Sequence, residues 1–149
     1  MHDILSSREI PHACLDLDQF SYSWPAMGPY NMETVFAALE HVWPVYQAAG
    51  IRKLIVARVV ETRAEMRRYA DILGCPSIIL CRVTATEEVR RGRLTAREEG
   101  ASFAWHLQRT RELERILEQA AVEDFVIQNE NEPIDRVAER TLRRTKWLS

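Results

Sequence analysis

Two carboxylates separated by a single residue, Asp16 and Asp18, close the short apolar run His12-Ala13-Cys14-Leu15. If that run is a strand that continues to Asp18, both side chains leave it on the same side. Carboxylates so placed can orient a hydroxyl, the part suited to Asp18, and help to organise Mg²⁺ through water, the part suited to Asp16. A polar strand end is the competing reading, since aspartates are common in turns. Arg93 and Arg97 fall on one helical face and suit bidentate contacts to phosphate oxygens. Glu87, Glu88, Glu98 and Glu99 stand nearby and offer the alternative of a solvated, self-paired surface. Arg58 interrupts the most apolar stretch, with Glu61 following it. A charge in a buried strand needs a partner, so Arg58 either faces a substrate cleft or pairs with Glu61 or Asp18. Arg109, beside Trp105 and His106, is a second candidate for a phosphate or substrate contact. His106 itself reads as a surface or half-buried helix residue, because no serine or cysteine nucleophile can be set beside it. The aromatic, turn-rich segment from Tyr22 through Trp24 to Tyr30 either walls a substrate pocket or packs upon its own side chains.

Positioning these groups falls to four apolar runs that alternate with amphipathic ones. Strands are expected near residues 12–17, 52–60, 77–83 and 125–128. Their near-continuous hydrophobicity points to strands covered on both faces, as in parallel sheets. A helix is expected from Glu33 to Gly50, kinked or split at Pro44. Thr62-Arg63-Ala64-Glu65 and Thr84-Ala85-Thr86-Glu87 read as capping boxes, opening helices that stop at Gly74 and near Gly100. Ser102 is expected to cap a long helix through Leu117. Pro133 is expected to sit at the first position of a last one, with Ile134, Val137, Ala138 and Leu142 inward. Leu5 to Glu9 read as the tail of a helix. The order is that of an α/β domain with a parallel sheet and flanking helices.

The chain has 149 residues, 46% of them hydrophobic and 28% charged. That suits one domain spanning 1–149, with a core large enough to need no staple. A net charge of -2 and scarce lysine argue against nucleic-acid binding. Mean hydropathy is -0.29, and no apolar run approaches the length of a membrane span. Nothing after Met1 resembles a secretory leader. Cys14, Cys75 and Cys81 are odd in number and form no C-x-x-C pair. They are expected as buried free thiols in a reducing cytoplasm rather than as disulfides or zinc ligands.

Several strings together resemble the P-loop small-molecule kinases, the group of shikimate kinase and adenylylsulfate kinase. Ile10 to Asp18 is similar to that family's second strand with its Asp-x-Asp end. Leu54 to Val60, running into Glu61-Thr62-Arg63, resembles the third strand and its turn. Thr84 to Val89, leading to Arg93, Arg97 and Gly100, resembles the arginine-bearing lid after the fourth strand. Phe125-Val126-Ile127 with Asn129 and Glu130 resembles the last strand and the loop packing near adenine. The resemblance runs from about residue 5 to the end. It implies ATP and Mg²⁺ as cofactors and transfer of the γ-phosphate to the hydroxyl of a small molecule. It assigns Asp18 and Asp16 to catalysis, with Asp16 near Mg²⁺ through water. It assigns Arg93, Arg97 and Arg109 to phosphate and lid contacts, Arg58, Glu61, Trp24 and Tyr30 to the substrate, and Asn129 and Glu130 to the adenine loop.

One departure dominates. The Walker A motif, G-x-x-x-x-G-K-[ST], supplies the backbone donors and lysine that cradle phosphates. The five glycines offer no pair at that spacing, and neither Lys53 nor Lys146 follows a glycine. In the family that motif precedes the Asp-x-Asp strand, where this sequence has only Met1 to Glu9. A strand, loop and helix of roughly 30 residues are missing. Met1 is therefore expected to be an internal start, the alternative being a chain that has lost its nucleotide cradle. Either way the 149 residues are expected to be inactive. The second reading is a non-catalytic, ligand- or protein-binding remnant. In the parent fold the missing strand lies between the third and fourth, so a gap, or direct pairing of those two, is expected. A homodimer is the expected means of covering the exposed surface.

Overall fold

The four apolar runs all become strands, the first three shorter than expected and the last with the expected bounds. A computed structural model describes residues 1–75 and 77–148. In it β1 is Ala13–Asp16, β2 Leu54–Ala57, β3 Cys81–Thr84 and β4 Phe125–Gln128. The helices are α1 (His2–Ser6), α2 (Met32–Ala48), α3 (Arg63–Leu73), α4 (Glu87–Arg97), α5 (Gly100–Ala120) and α6 (Ile134–Arg144). Short 3-10 helices occupy Leu17–Ser21 and Pro29–Asn31. The chain forms two compact units, Met1–Val60 with Ala64–Ile78, and Glu61–Arg63 with Ile79–Ser149.

In the first unit β1 pairs in parallel with β2, from Ala13 opposite Leu54 to Asp16 opposite Ala57. The connection runs through α2, as a parallel pair requires. Leu5, Leu17, Val35, Phe36, Leu39, Trp43 and Tyr69 are among its buried side chains. Trp43 Nε1 donates to the Leu73 carbonyl at 3.3 Å, occupying an acceptor that the end of α3 leaves open. Arg68 on α3 forms a fork with both Glu33 oxygens on α2, at 2.7 and 2.5 Å, and lies 4.0 Å above the Phe36 ring. Of the two expectations for Pro44, a kink or a split, the split does not occur: α2 runs unbroken through it. Burial of Val35, Phe36, Leu39 and Trp43 along the turns before it outweighs the hydrogen bond that proline forfeits.

In the second unit β3 pairs in parallel with β4, from Cys81 opposite Phe125 to Thr84 opposite Gln128. Its core comprises Ala85, Leu94, Ile127, Val137, Ala138, Leu142 and Leu148. Asp124 fixes where this ladder begins, donating from its N–H to the Leu80 carbonyl and accepting the Leu80 N–H at 2.7 Å. Residues 77–80 therefore precede the strand that was expected to begin at 77. Thr86, not Thr84, caps α4, its hydroxyl accepting from Val89 N–H. Thr84 stays in the ladder. The helix ends at Arg97, and α5 begins at Gly100 without a cap from Ser102, whose hydroxyl donates instead to Glu98 at 2.6 Å. In α6 Val137, Ala138 and Leu142 are buried as expected, but Pro133 is the N-cap residue and Ile134 is 73% exposed.

Each sheet among the described residues has two strands, β1–β2 in the first unit and β3–β4 in the second. β1 and β4 are covered on one face, not two. Ala13 and Ile127 are buried, while their neighbours Cys14, Val126 and Gln128 are exposed. Apolar content alone does not fix coverage; a second helical layer must be there to supply it. All three cysteines are free, but none is buried: Cys14 is exposed and Cys75 and Cys81 are half-buried. Among the described residues no helix is long and apolar enough to cross a membrane.

Candidate functional site

The chain leaves β1 at Asp16 and turns at once into the 3-10 helix Leu17–Ser21. That ends the two-residue alternation, so Asp16 and Asp18 do not share a strand face as expected. Asp16 Oδ1 accepts the Asp18 N–H at 3.0 Å and caps the turn. Asp18 is released to a different partner. Its Oδ1 accepts from Arg58 Nη1 at 2.5 Å. The Arg58 side chain is only 9% exposed and that of Asp18 61%, so a sheltered cation meets a carboxylate open to solvent. Arg58 Nη2 also reaches Met32 Sδ at 3.0 Å and the Tyr30 carbonyl at 3.5 Å. Arg58 stands just beyond the end of β2, not inside the strand, and pairs with Asp18, one of its expected partners.

Tyr69 completes this corner. It is 4% exposed and packs on Phe36 with ring centroids 5.0 Å apart. Its hydroxyl has no hydrogen-bond partner. Burial, reinforced by the Glu65 charge, pushes this phenol up to about 12, with Arg58 pulling down and Asp18 adding a smaller upward push. Neither Tyr69 nor its orphan hydroxyl was singled out from sequence, where it reads as one more apolar helix position.

The loop from Tyr22 to Tyr30 presents its aromatics to solvent: Trp24 is 95% exposed, and Tyr22, Met27 and Tyr30 are exposed as well. It does not pack on its own side chains. Buried Asn31 closes it instead, donating from Nδ2 to the Ser21 carbonyl at 2.5 Å and accepting the Met27 N–H at 2.6 Å. Gly28, at φ +106°, takes a backbone conformation that side chains disfavour.

In the second unit Arg93 straps α4 to the loop after β4. Its Nη2 donates to the Asn129 carbonyl at 2.8 Å and the Glu130 carbonyl at 2.7 Å, with Asn129 Oδ1 at 3.3 Å. The Glu130 carboxylate accepts from Thr86 N–H at 2.8 Å and its hydroxyl at 3.0 Å. Thus Arg93, Asn129 and Glu130, picked separately from the sequence, form one constellation. Arg97 is not part of it, being exposed and paired with adjacent Glu98 at 2.9 Å. Hydrogen bonds from Ser102 and then Arg97, with His106 nearby, hold the Glu98 carboxyl below its usual range. His106 Nε2 lies 3.6 Å from Glu98 Oε1, and Trp105 stacks edge-on against the imidazole. Arg109 is largely buried and pairs with Glu61 and, at 3.0 Å, with Glu112.

Behind Arg93 lies a cleft of about 220 Å³ whose lining includes Arg82, Thr84, Arg90, Arg93 and Glu114. Arg90 donates to Thr84 Oγ1 at 3.3 Å and Glu114 Oε2 at 2.6 Å. Its buried Nε has no partner, nor does that of Arg82, which stands 3.3 Å from Glu123 without bonding geometry. Three guanidiniums and one facing carboxylate make this a cleft suited to an anionic group. Arg82 and Arg90 were missed from sequence because their convergence depends on the start of α4 at Glu87. The chain matches no protein-family model, no curated protein and no solved structure.

Proposed function

We propose that this chain is the body of a kinase-like, ATP-dependent phosphotransferase for a small-molecule hydroxyl, without the nucleotide cradle. The observation that carries the reading is the strand pairing, β1 with β2 and β3 with β4, both parallel. In the P-loop kinase order these correspond to the two outer pairs, with a further strand between them. The exposed faces at Val83 and Val126 support the same reading, since that unit also contributes a covering helix.

Within this proposal Asp18, held by Arg58, orients the accepting hydroxyl, and Asp16 serves Mg²⁺ through water. Phosphoryl transfer leaves the protein chiefly positioning and charge stabilisation, roles that suit Arg93, Arg109 and the arginine-lined cleft. The 149 residues do not fit ATP by themselves, because no run of backbone donors with a following lysine exists to wrap its phosphates. No step through the nucleotide is therefore assigned to them. Exposed Trp24, Tyr22 and Met27 favour the second reading, a remnant that binds a ligand or partner chain.

Isothermal titration with Mg·ATP tests the proposal on two proteins. The 149-residue chain should show no saturable binding. A fusion that supplies an N-terminal strand, Walker A loop and helix should bind and turn over, and Asp18→Asn there should lower turnover far more than ATP affinity. Low-micromolar binding by the 149-residue chain, or none by the fusion, would overturn it.

A further inference from the structure

Three metal-ligating side chains meet at the start of the first unit. His2 opens α1, His12 immediately precedes β1, and Cys14 lies within it. In extended backbone, positions 12 and 14 project to the same side, and α1 brings His2 over them. One ligand atom from each residue lies within 4.8 Å of the others. His2 Nδ1 is 2.9 Å from His12 Nε2. His12 Nδ1 sits 2.7 Å from the Ile10 carbonyl. A carbonyl only accepts, so that nitrogen carries the hydrogen and Nε2 turns its lone pair toward His2. An outer hydrogen bond of this kind is what fixes the tautomer of a ligating imidazole. The hydrogen shared between the two rings belongs to His2 Nδ1. Its transfer to the other nitrogen of that ring leaves two lone pairs and a sulfur aimed at one region.

We propose that His2, His12 and Cys14 bind a borderline-soft divalent transition metal, with zinc as the expected ion. Two imidazole nitrogens and one thiolate suit zinc and not Mg²⁺ or Ca²⁺, which prefer oxygen. Bonds of about 2.0 Å to nitrogen and 2.3 Å to sulfur put tetrahedral ligands roughly 3.3–3.7 Å apart. The two imidazole nitrogens, 2.9 Å apart, need to open slightly and the sulfur to draw in to reach that spacing. Zinc keeps its oxidation state; the thiol loses its proton to solvent as the Zn–S bond forms. Three protein ligands leave a fourth position for water or another ligand. The exposure of His2 and Cys14 gives the ion a route in. The absence of a C-x-x-C pair therefore does not exclude zinc, because a strand His-x-Cys and a histidine from a preceding helix can serve instead. The inference is independent of the phosphotransferase reading.

The full chain, tagged only at its C-terminus and kept reduced, is titrated with Co²⁺ as the spectroscopic probe and then with competing Zn²⁺. One equivalent should bind, giving tetrahedral d–d bands and a thiolate-to-cobalt charge-transfer band that zinc abolishes. Cys14→Ser should remove the charge-transfer band and weaken binding about tenfold or more. His12→Ala should weaken it comparably, whereas Cys75→Ser and Cys81→Ser should leave the spectrum unchanged. Cys14 is exposed, so Cys14→Ser keeps the test valid even if His12→Ala perturbs the fold, which circular dichroism would reveal. No saturable binding, or a spectrum indifferent to Cys14→Ser, would overturn the site and leave an adventitious ion only.

Discussion

The Asp18–Arg58 pair joins one solvated and one sheltered charge, and its two halves should not be equally expendable. Removing the carboxylate strands a cation that is 9% exposed; removing the cation leaves a carboxylate that water already solvates. Asp18→Ala should therefore cost about 1–3 kcal/mol in urea unfolding, and Arg58→Met distinctly less. Equal losses would mean that the pair acts through packing alone. Tyr69 gives a prediction with a pH signature. Its phenol is pushed from 10.0 to about 12 in the fold. Across that interval the folded state keeps a proton that the unfolded state has lost, so this contribution is intact below the unfolded value and falls as pH rises toward the folded one. Tyr69→Phe removes that loss and also an unsatisfied buried hydroxyl. The variant should be at least as stable as the parent at neutral pH and markedly more resistant to alkaline unfolding, followed by circular dichroism.

At the scale of elements, α2 carries an avoidable weakness and α4 a removable strap. Pro44 is exposed within a continuous helix, so its ring serves no core packing. Pro44→Ala restores a backbone hydrogen bond and should raise stability by about 1–3 kcal/mol, read as a higher melting temperature. For α4, Glu130 holds its first turn through Thr86, and Arg93 returns from its middle to the Asn129–Glu130 loop. Glu130→Ala should free the Thr86 N–H and speed hydrogen exchange over the first turn of α4 while leaving α2 unchanged. Uniform acceleration across the chain would show that the strap supports the whole fold instead of one helix end.

At the scale of the whole molecule, exposed apolar residues and open strand edges set the expected behaviour. Val59, Ile79, Val83 and Val126 are exposed, and each described sheet has only two strands. Short parallel pairs with open edges offer unpaired donors and acceptors to other chains. Each such group costs roughly 1–3 kcal/mol if it is buried unpaired, against a total of about 5–15 kcal/mol for an ordinary domain. The 149-residue chain should therefore melt at low temperature or self-associate. Analytical ultracentrifugation with calorimetry checks this; a monodisperse monomer with a high, cooperative transition would contradict it.

By itself the sequence determined the kind and order of the principal elements, because hydrophobic period, glycine stops and β-branched runs act over a few residues. Gly50 and Gly74 lie just beyond α2 and α3, and Phe125–Gln128 forms a strand where its apolar run predicts one. It also excluded a P-loop among these 149 residues, since that motif is a contiguous string. Tertiary structure decided what each side chain meets. Asp16 caps a turn instead of sharing a face with Asp18, Arg58 meets Asp18, and Thr86 displaces Thr84 as a cap. Arg93 finds Asn129 and Glu130, and His2 reaches His12 and Cys14. These choices join residues far apart in sequence or turn on where an element stops, and a shift of one residue redirects every side chain beyond it.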